Sequence, residues 1–326
     1  MRKTPSTSRR KFLRFLAGSP LLAYGGLAAF ASEGPTPGTK LPDPIMWAPL
    51  RAADGEIATA KAAKVGNHLQ VLSTATTTGV EDVIAARGAP VWYQLYATNK
   101  WEVAKAFVTR AEKAGCPVVA VTIDRNGGRN QETLFRLQRT DTRQCSACHD
   151  RSSLQAALKR RSMYEDVDLT GLTHTQSSAM TWDFMKRLRD TTKMKIVLKG
   201  ILAHEDAVLA ADAGMDGIIV SNHGARSEDS GRSTIDALPE IVEAVKGRIP
   251  ILVDSGFRRG TDIVKALCMG ATAVCVGRPY IWGLGAFGQP GVERALELLR
   301  VETRAIMQQV GAPTIKHLVP AMVRRA

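Results

Sequence analysis

Residues 218–226 read Ile-Ile-Val-Ser-Asn-His-Gly-Ala-Arg, an apolar run that changes abruptly into a polar loop. Three consecutive β-branched residues are typical of a strand that is buried on both faces of a parallel sheet. The serine, asparagine and glycine that follow predict a loop. This loop carries His223 and, three residues on, Arg226. A titratable base and a fixed cation at the carboxyl end of a buried parallel strand are typical of an active site.

Along the rest of the chain, short apolar runs of this kind alternate with helical segments. Several helical segments end at a glycine just before the next run, such as Gly115 and Gly214, as helix C-termini commonly do. The eight apolar runs lie at residues 45–48, 69–72, 91–95, 118–123, 195–198, 217–220, 249–253 and 273–276. Eight strand–helix units predict an α/β fold of the (β/α)8 TIM-barrel type. A doubly wound open sheet is the second interpretation, but no Gly-x-Gly-x-x-Gly motif follows the first strand. A last helix is predicted over 292–310.

The charge distribution argues against nucleic-acid binding. The chain has 326 residues and a formal net charge of +13, but six of its positive charges lie within the first fourteen residues, before any acidic residue. The other Lys and Arg residues are scattered among acids, without the aromatic residues that stack on bases.

Residues 1–31 are predicted to be a twin-arginine export signal. Arg9 and Arg10 precede an apolar segment, and the small residues of Ala29-Phe30-Ala31 suit a cleavage site. We therefore expect an exported, periplasmic protein, with an uncleaved membrane anchor as the alternative. Residues 32–43 are predicted to be a linker, and residues 44–326 to form the barrel.

Polar residues follow the predicted strands at the points where each strand ends. In a (β/α)8 barrel these positions converge on one face, which carries the active site. The glycine-containing turns after the last two strands also hold arginines, a pattern typical of phosphate binding. The residues are Ser73, Thr74, Gln94, Tyr96, Thr122, Asp124, Lys199, His223, Arg226, Asp254, Gly256, Arg258, Gly277 and Arg278.

Several of these stretches together resemble the FMN-dependent α-hydroxy acid dehydrogenases and oxidases. They occur in the family's order between about residues 44 and 312. The matching stretches are Pro44-Ile45-Met46 with Ala48-Pro49, Gln94-Leu95-Tyr96, Thr122-Ile123-Asp124, Leu198-Lys199-Gly200, Ser221-Asn222-His223-Gly224-Ala225-Arg226, Asp254-Ser255-Gly256 with Arg258-Arg259-Gly260-Thr261-Asp262, and Gly277-Arg278-Pro279. The resemblance implies an FMN-linked barrel that oxidises an L-2-hydroxy acid, such as lactate or glycolate, to the 2-oxo acid.

The resemblance also implies a role for each site residue. His223 would be the base, Asp124 would orient it, and Tyr96 would bind the substrate. Arg226, with Arg129 as a second arginine, would bind the substrate carboxylate. Lys199 would stabilise charge on the reduced flavin. The residues implied to contact FMN are Ser73, Gln94, Thr122, Lys199, Asp254, Gly256, Arg258, Gly277 and Arg278. The family further implies a homo-oligomer and an electron acceptor, which could be a cytochrome, a quinone or oxygen.

One departure from the family supports a second hypothesis. Family members carry an N-terminal helical region with a substrate-binding tyrosine, whereas here the signal and linker occupy that part of the sequence. The alternative is therefore a catalytically degenerate FMN-binding protein, or a haem-bearing electron-transfer or interaction protein.

A long polar segment, at about 132–179, interrupts this alternation of apolar runs and helical segments and carries a Cys-x-x-Cys-His motif. Cys145, Cys148 and His149 have the spacing of a c-type haem attachment site. In an oxidising compartment a local Cys145–Cys148 disulfide is an equal alternative. A metal site is less favoured because no fourth ligand is evident.

Overall fold

The computed structural model describes residues 55–125, 136–137, 139–140, 153–159, 161–177, 180–227 and 230–324. Seven strands of this part form one parallel sheet, in which each strand pairs with the next strand along the chain. They are β1 Val71–Ser73, β2 Trp92–Leu95, β3 Val118–Thr122, β4 Lys195–Ile201, β5 Gly217–Val220, β6 Ile251–Val253 and β7 Ala273–Val274. Seven of the eight predicted strands are thus confirmed, and the run at 45–48 lies outside the described residues.

Helices connect the parallel strands, as crossovers in such a sheet require. The described helices are α1 Gly55–Gly66, α2 Val80–Arg87, α3 Trp101–Lys113, α4 Leu154–Lys159, α5 Trp182–Arg189, α6 His204–Asp212, α7 Thr234–Val245, α8 Gly260–Cys268 and α9 Arg278–Gln309. Short 3-10 turns lie at Ser162–Tyr164, Ile315–His317 and Pro320–Met322. The consecutive strand order with intervening helices is the connectivity of a (β/α)8 barrel.

The helices pack on the sheet through apolar stripes at helical spacing. In α3, for example, Val103, Phe107 and Ala111 are completely buried, whereas Glu102 and Lys105 are exposed. Residues four apart lie on the same face of a helix, so this spacing turns one face toward the sheet. No helix among the described residues has the length and hydropathy that crossing a membrane requires.

The strands bury alternate residues on opposite faces of the sheet. In β3, Val119 and Val121 belong to the large cluster between the sheet and the helices. Val118 and Ala120 belong to a second, smaller cluster on the other face, with residues of other strands. This second cluster contains Val118, Ala120, Val197, Ile219 and Leu252, with Trp92, Ala273 and Cys275 packed against it. We call the face that carries this cluster the inner face of the sheet.

The last helix differs most from the prediction. It begins at Arg278 rather than at residue 292, and it is broken at Gly288, whose φ of 63° and ψ of −143° are not helical. A Cβ placed on Gly283 would collide with the backbone of Gly291, so the two arms fold back on each other across the break. The prediction missed the first arm because frequent glycines and Pro290 are unusual inside helices.

The segment between β3 and β4 is partly built into the core. Met163 and Tyr164 are buried there, and the Tyr164 ring makes an edge contact with Phe107 of α3. The helix α5 at its end was not predicted. The Cys-x-x-Cys-His motif lies outside the described residues.

Candidate active site

The inner face of the sheet changes from apolar to polar near the carboxyl ends of the strands. Side chains two residues apart on a strand point to the same face, so Ala120 and Thr122 of β3 share one side, as do Val197 and Lys199 of β4. Gln94 of β2 occupies the register position opposite Ala120, and Ser73 of β1 is opposite Gln94. The predicted site residues thus belong to one layer at the carboxyl edge of the sheet.

The centre of this layer is a contact among His223, Asp124 and Tyr96. The Nδ1 atom of His223 lies 3.0 Å and 3.2 Å from the two carboxylate oxygens of Asp124, and the Nε2 atom lies 3.2 Å from the Tyr96 hydroxyl. An ionised carboxylate only accepts hydrogen bonds, so Nδ1 carries the proton and donates it to Asp124. The unprotonated Nε2 therefore faces Tyr96, whose hydroxyl donates to it. Because the side chains of His223 and Asp124 are 11% and 9% exposed, the pair is largely shielded from water.

Unusual backbone geometry supports this arrangement. His223 and Ala225 have φ values of 58° and 60°, a left-handed conformation that costs a non-glycine residue about 1–3 kcal/mol. On β4, Gly200 has a φ of 112°, and a Cβ there would lie 2.5 Å from the Cβ of Asp124. The close passage of β4 behind Asp124 therefore requires a glycine. Strain of this kind collects at sites whose geometry serves a function.

Lys199 lies beside this centre and is held by a serine and a carboxylate. Its Nζ atom donates to the Ser221 hydroxyl at 2.9 Å and lies 3.4 Å from the Asp254 carboxylate. The same Ser221 oxygen accepts the backbone N–H of His223 at 3.1 Å. The hydroxyl of Ser255 donates to Asp254 and accepts the backbone N–H of Gly224. The two serines therefore connect the lysine to the loop that carries the histidine.

A row of neutral polar groups crosses the first three strands. The Ser73 hydroxyl donates to the Gln94 side-chain oxygen at 2.7 Å, and the Gln94 amide donates to the Thr122 hydroxyl at 2.8 Å. Gln94 and Thr122 are buried. Such a row can exchange hydrogen bonds with the polar edge of a planar heterocycle.

The turns after β6 and β7 supply two arginines. Arg278, at the start of α9, donates to the backbone oxygen of Gly224 in the loop after β5. The guanidinium of Arg258 lies 5.0 Å from the centroid of the Trp282 ring and donates to the Phe257 carbonyl. Gly277 caps the N-terminus of α9. Two cations and free N–H groups at a helix N-terminus form a set of donors suited to a phosphate. Gly256, with a φ of 86°, lies in the turn between β6 and Arg258.

The donor set therefore fits FMN: neutral hydrogen-bonding groups and a lysine for the ring, and arginines for the phosphate. Arg226, also predicted, is exposed in the loop after β5, where its backbone N–H donates to the Asn222 carbonyl. Arg129, Cys145, Cys148 and His149 lie outside the described residues.

Three residues of the site were given no role from the sequence, although two of them, Ser221 and Ser255, lie in stretches that resemble the family. Ser221 and Ser255 organise the loop after β5, and their hydrogen bonds depend on tertiary contacts. Arg125 places its guanidinium carbon 5.4 Å from the centroid of the Tyr96 ring. In the sequence, its position next to Asp124 was the one indication that Arg125 belongs to the site.

Known proteins are similar to this chain in sequence and fold. The chain is 38% identical over 288 residues to a peroxisomal (S)-2-hydroxyacid oxidase of Arabidopsis thaliana, an alignment that covers 86% of this chain and 77% of the relative. It is 37% identical over 289 residues to an L-lactate oxidase of Lysinibacillus sphaericus, covering 86% and 75% of the two chains. A crystal structure of mandelate oxidase superposes with a TM-score of 0.69 at 35% identity, covering 81% of this chain and 72% of the other.

These similarities confirm the predicted barrel fold. Residues 35–325 match the FMN-dependent dehydrogenase family, which is more than half of the chain. The resemblance inferred from the strand-end motifs is confirmed by this match. The chain therefore belongs to the FMN-dependent dehydrogenase family.

Proposed function

We propose that this protein oxidises an L-2-hydroxy acid to the 2-oxo acid with FMN as cofactor. The observation that carries the proposal is the orientation of His223, whose Nδ1 is held by Asp124 while its Nε2 faces the Tyr96 hydroxyl. Family membership and the 2-hydroxyacid and lactate oxidases among the relatives support it. The same contact favours turnover over a catalytically degenerate flavoprotein, because only turnover requires a base with this orientation.

The chemistry removes one hydrogen from the hydroxyl group of the substrate and one from its α-carbon. The O–H and C–H bonds break, the C=O bond forms, and one hydrogen leaves as a proton to Nε2 of His223. FMN, when bound, accepts the two electrons together with the other proton. Asp124 stabilises the imidazolium that forms, as a carboxylate does for other catalytic histidines. The positive charge of Lys199 favours negative charge in the neighbouring ring site.

The substrate is held by polar and cationic groups at the same edge of the barrel. Tyr96 donates a hydrogen bond to the substrate oxygen when the substrate replaces the direct contact with His223. Arg226 binds the substrate carboxylate, for which a planar guanidinium is suited. Arg129 is the second arginine that binds this carboxylate. Electrons then pass from the reduced cofactor to oxygen, a cytochrome or a quinone. The protein acts as a homo-oligomer and is exported by the twin-arginine route.

Replacing His223 by Gln tests the catalytic assignment. We expect the variant to keep its flavin but to be reduced by 2-hydroxy acids about 100- to 10,000-fold more slowly, the usual contribution of a general base. The measurement is flavin absorbance under anaerobic conditions. Reduction at the rate of the unmodified protein would contradict the proposal.

Two further expectations, the export signal and the Cys-x-x-Cys-His motif, have separate tests. Replacement of Arg9 and Arg10 by Lys should keep the protein in the cytoplasmic fraction, whereas unchanged export would contradict the signal. An absorption spectrum of the exported protein, before and after reduction, reports whether the Cys145–Cys148–His149 motif carries haem in addition to the flavin.

A further inference from the structure

Arg125 follows Asp124 in the loop after β3, and its side chain lies on the Tyr96 side of that loop. Its guanidinium carbon lies 5.4 Å from the centroid of the Tyr96 ring, a cation–π contact. Its Nε atom is buried and has no hydrogen-bond partner among the described residues. A buried N–H group without a partner is unfavourable, so such groups in folded proteins need an explanation.

The charge of Arg125 is close to the reacting centre. Tyr96, which the guanidinium covers, places its hydroxyl 3.2 Å from Nε2 of His223. The carboxylate next to Arg125, that of Asp124, is already bound to Nδ1 of His223. Within the described part of the chain, Arg125 forms no ion pair with an acidic side chain. Among the described residues, the site therefore has a cation and a buried N–H without a partner, beyond the groups that the oxidation itself requires.

The geometry of the substrate indicates what this cation meets. On the proposed function, on which this inference rests, the hydroxyl of the substrate lies at His223 and Tyr96, and its carboxylate lies at Arg226. Arg226 belongs to the loop after β5, whereas Arg125 belongs to the loop after β3. The substituent on the α-carbon is the remaining group that can extend toward Arg125.

We infer that Arg125 binds a second anionic group, on the side chain of the substrate. The site then prefers 2-hydroxy acids that carry a second carboxylate over monocarboxylates of the same length. A guanidinium with an unpaired N–H suits this role because it forms charge-assisted hydrogen bonds with a carboxylate. Arg125 is thus a specificity-determining residue, distinct from the base and from the arginines assigned to the α-carboxylate.

Two four-carbon acids that differ in one carboxylate test the inference. The measurement is the second-order rate of anaerobic flavin reduction by L-malate and by L-2-hydroxybutanoate, in the full-length protein loaded with FMN. The unmodified protein should react faster with malate. Arg125→Met keeps an apolar side chain on the Tyr96 ring and removes the charge. It should lower the malate to hydroxybutanoate ratio about 10- to 100-fold, the effect of losing a hydrogen bond to a charged group.

A matched control separates the local effect from a general change in charge. Arg294→Met removes a positive charge from α9, where the side chain pairs with Glu297, and should leave the ratio unchanged. Flavin content and circular dichroism check that each variant is folded. If Arg125→Met does not fold, the malate to hydroxybutanoate ratio of the unmodified protein still tests the inference.

Three results would overturn the inference. The first is an unmodified protein that prefers hydroxybutanoate. The second is that Arg125→Met changes neither rate, and the third is an equal loss of rate with both acids, which would make Arg125 a positioning residue for Tyr96. If no 2-hydroxy acid reduces the flavin, the proposed function itself fails, and that outcome is distinct from reduction without a preference for charge.

Discussion

Replacing Asp124 by Asn would isolate the contribution of its charge to the base. The two side chains have nearly the same shape, and the Asp124 carboxylate is largely buried with both oxygens within 3.2 Å of Nδ1 of His223. The substitution therefore removes a charge without opening a cavity. The Asn amide can also donate to Nδ1, which favours the proton on Nε2 and so weakens the base.

The size of the effect follows from this distance. Two unit charges about 4 Å apart attract by about 4 kcal/mol at the effective dielectric constant of about 20 that suits protein sites. A hydrogen bond to a charged group usually contributes about 1.5–3 kcal/mol. We take this range as the smaller expected loss of stabilisation of the His223 imidazolium, and the charge–charge attraction as the larger one. We expect the rate of flavin reduction to fall by about 10- to 1000-fold, because about 1.4 kcal/mol corresponds to a factor of ten.

The assay is anaerobic flavin reduction by a saturating 2-hydroxy acid, with flavin content measured in the same samples. Asp212→Asn is the matched control, because Asp212 forms an exposed ion pair with Arg248. We expect the control to keep the full rate. A rate for Asp124→Asn within about threefold of the unmodified protein would refute the role of Asp124 in holding and charging the imidazole.

Two further predictions concern stability and thiol chemistry. Gly200→Ala should lower the free energy of unfolding by about 1–3 kcal/mol or more and slow flavin reduction, because it strains the backbone and displaces Asp124. Urea titration measures this loss. The control is Gly214→Ala, where φ is also positive but no atom lies within 4 Å of the new Cβ. This control should lose only the free energy that comes from backbone strain. Burial raises the pKa of the Cys116 thiol to about 12, so at pH 8 only about one molecule in 10,000 carries the reactive thiolate. Cys116 should therefore resist iodoacetamide in the folded protein, react more readily as pH rises, and react quickly in urea; rapid labelling at pH 8 without urea would contradict the burial.

The strands and the residues at their ends were predictable because each depends on a few neighbouring residues. The β-branched run at 218–220 predicted a buried strand. The polar residues two positions beyond Ala120 or Val197 follow from the alternation of side chains on a strand. The first arm of α9 was missed because Gly283 makes a close contact with Gly291 that local helix propensity does not reflect. The contact of Arg125 with Tyr96 was also missed, since it depends on the direction that the loop takes after β3.

The abrupt change along the inner face, from Val197 to Lys199 and from Ala120 to Thr122, has a consequence for how such a protein can diversify. The apolar cluster that stabilises the sheet ends one step below the groups that carry the chemistry. Substitutions in the polar layer at the carboxyl edge can therefore alter reactivity, while the apolar cluster of the inner face keeps the packing that holds the strands together. Laboratory evolution of a new substrate range should be most productive when its library is restricted to that single layer and the loops directly above it.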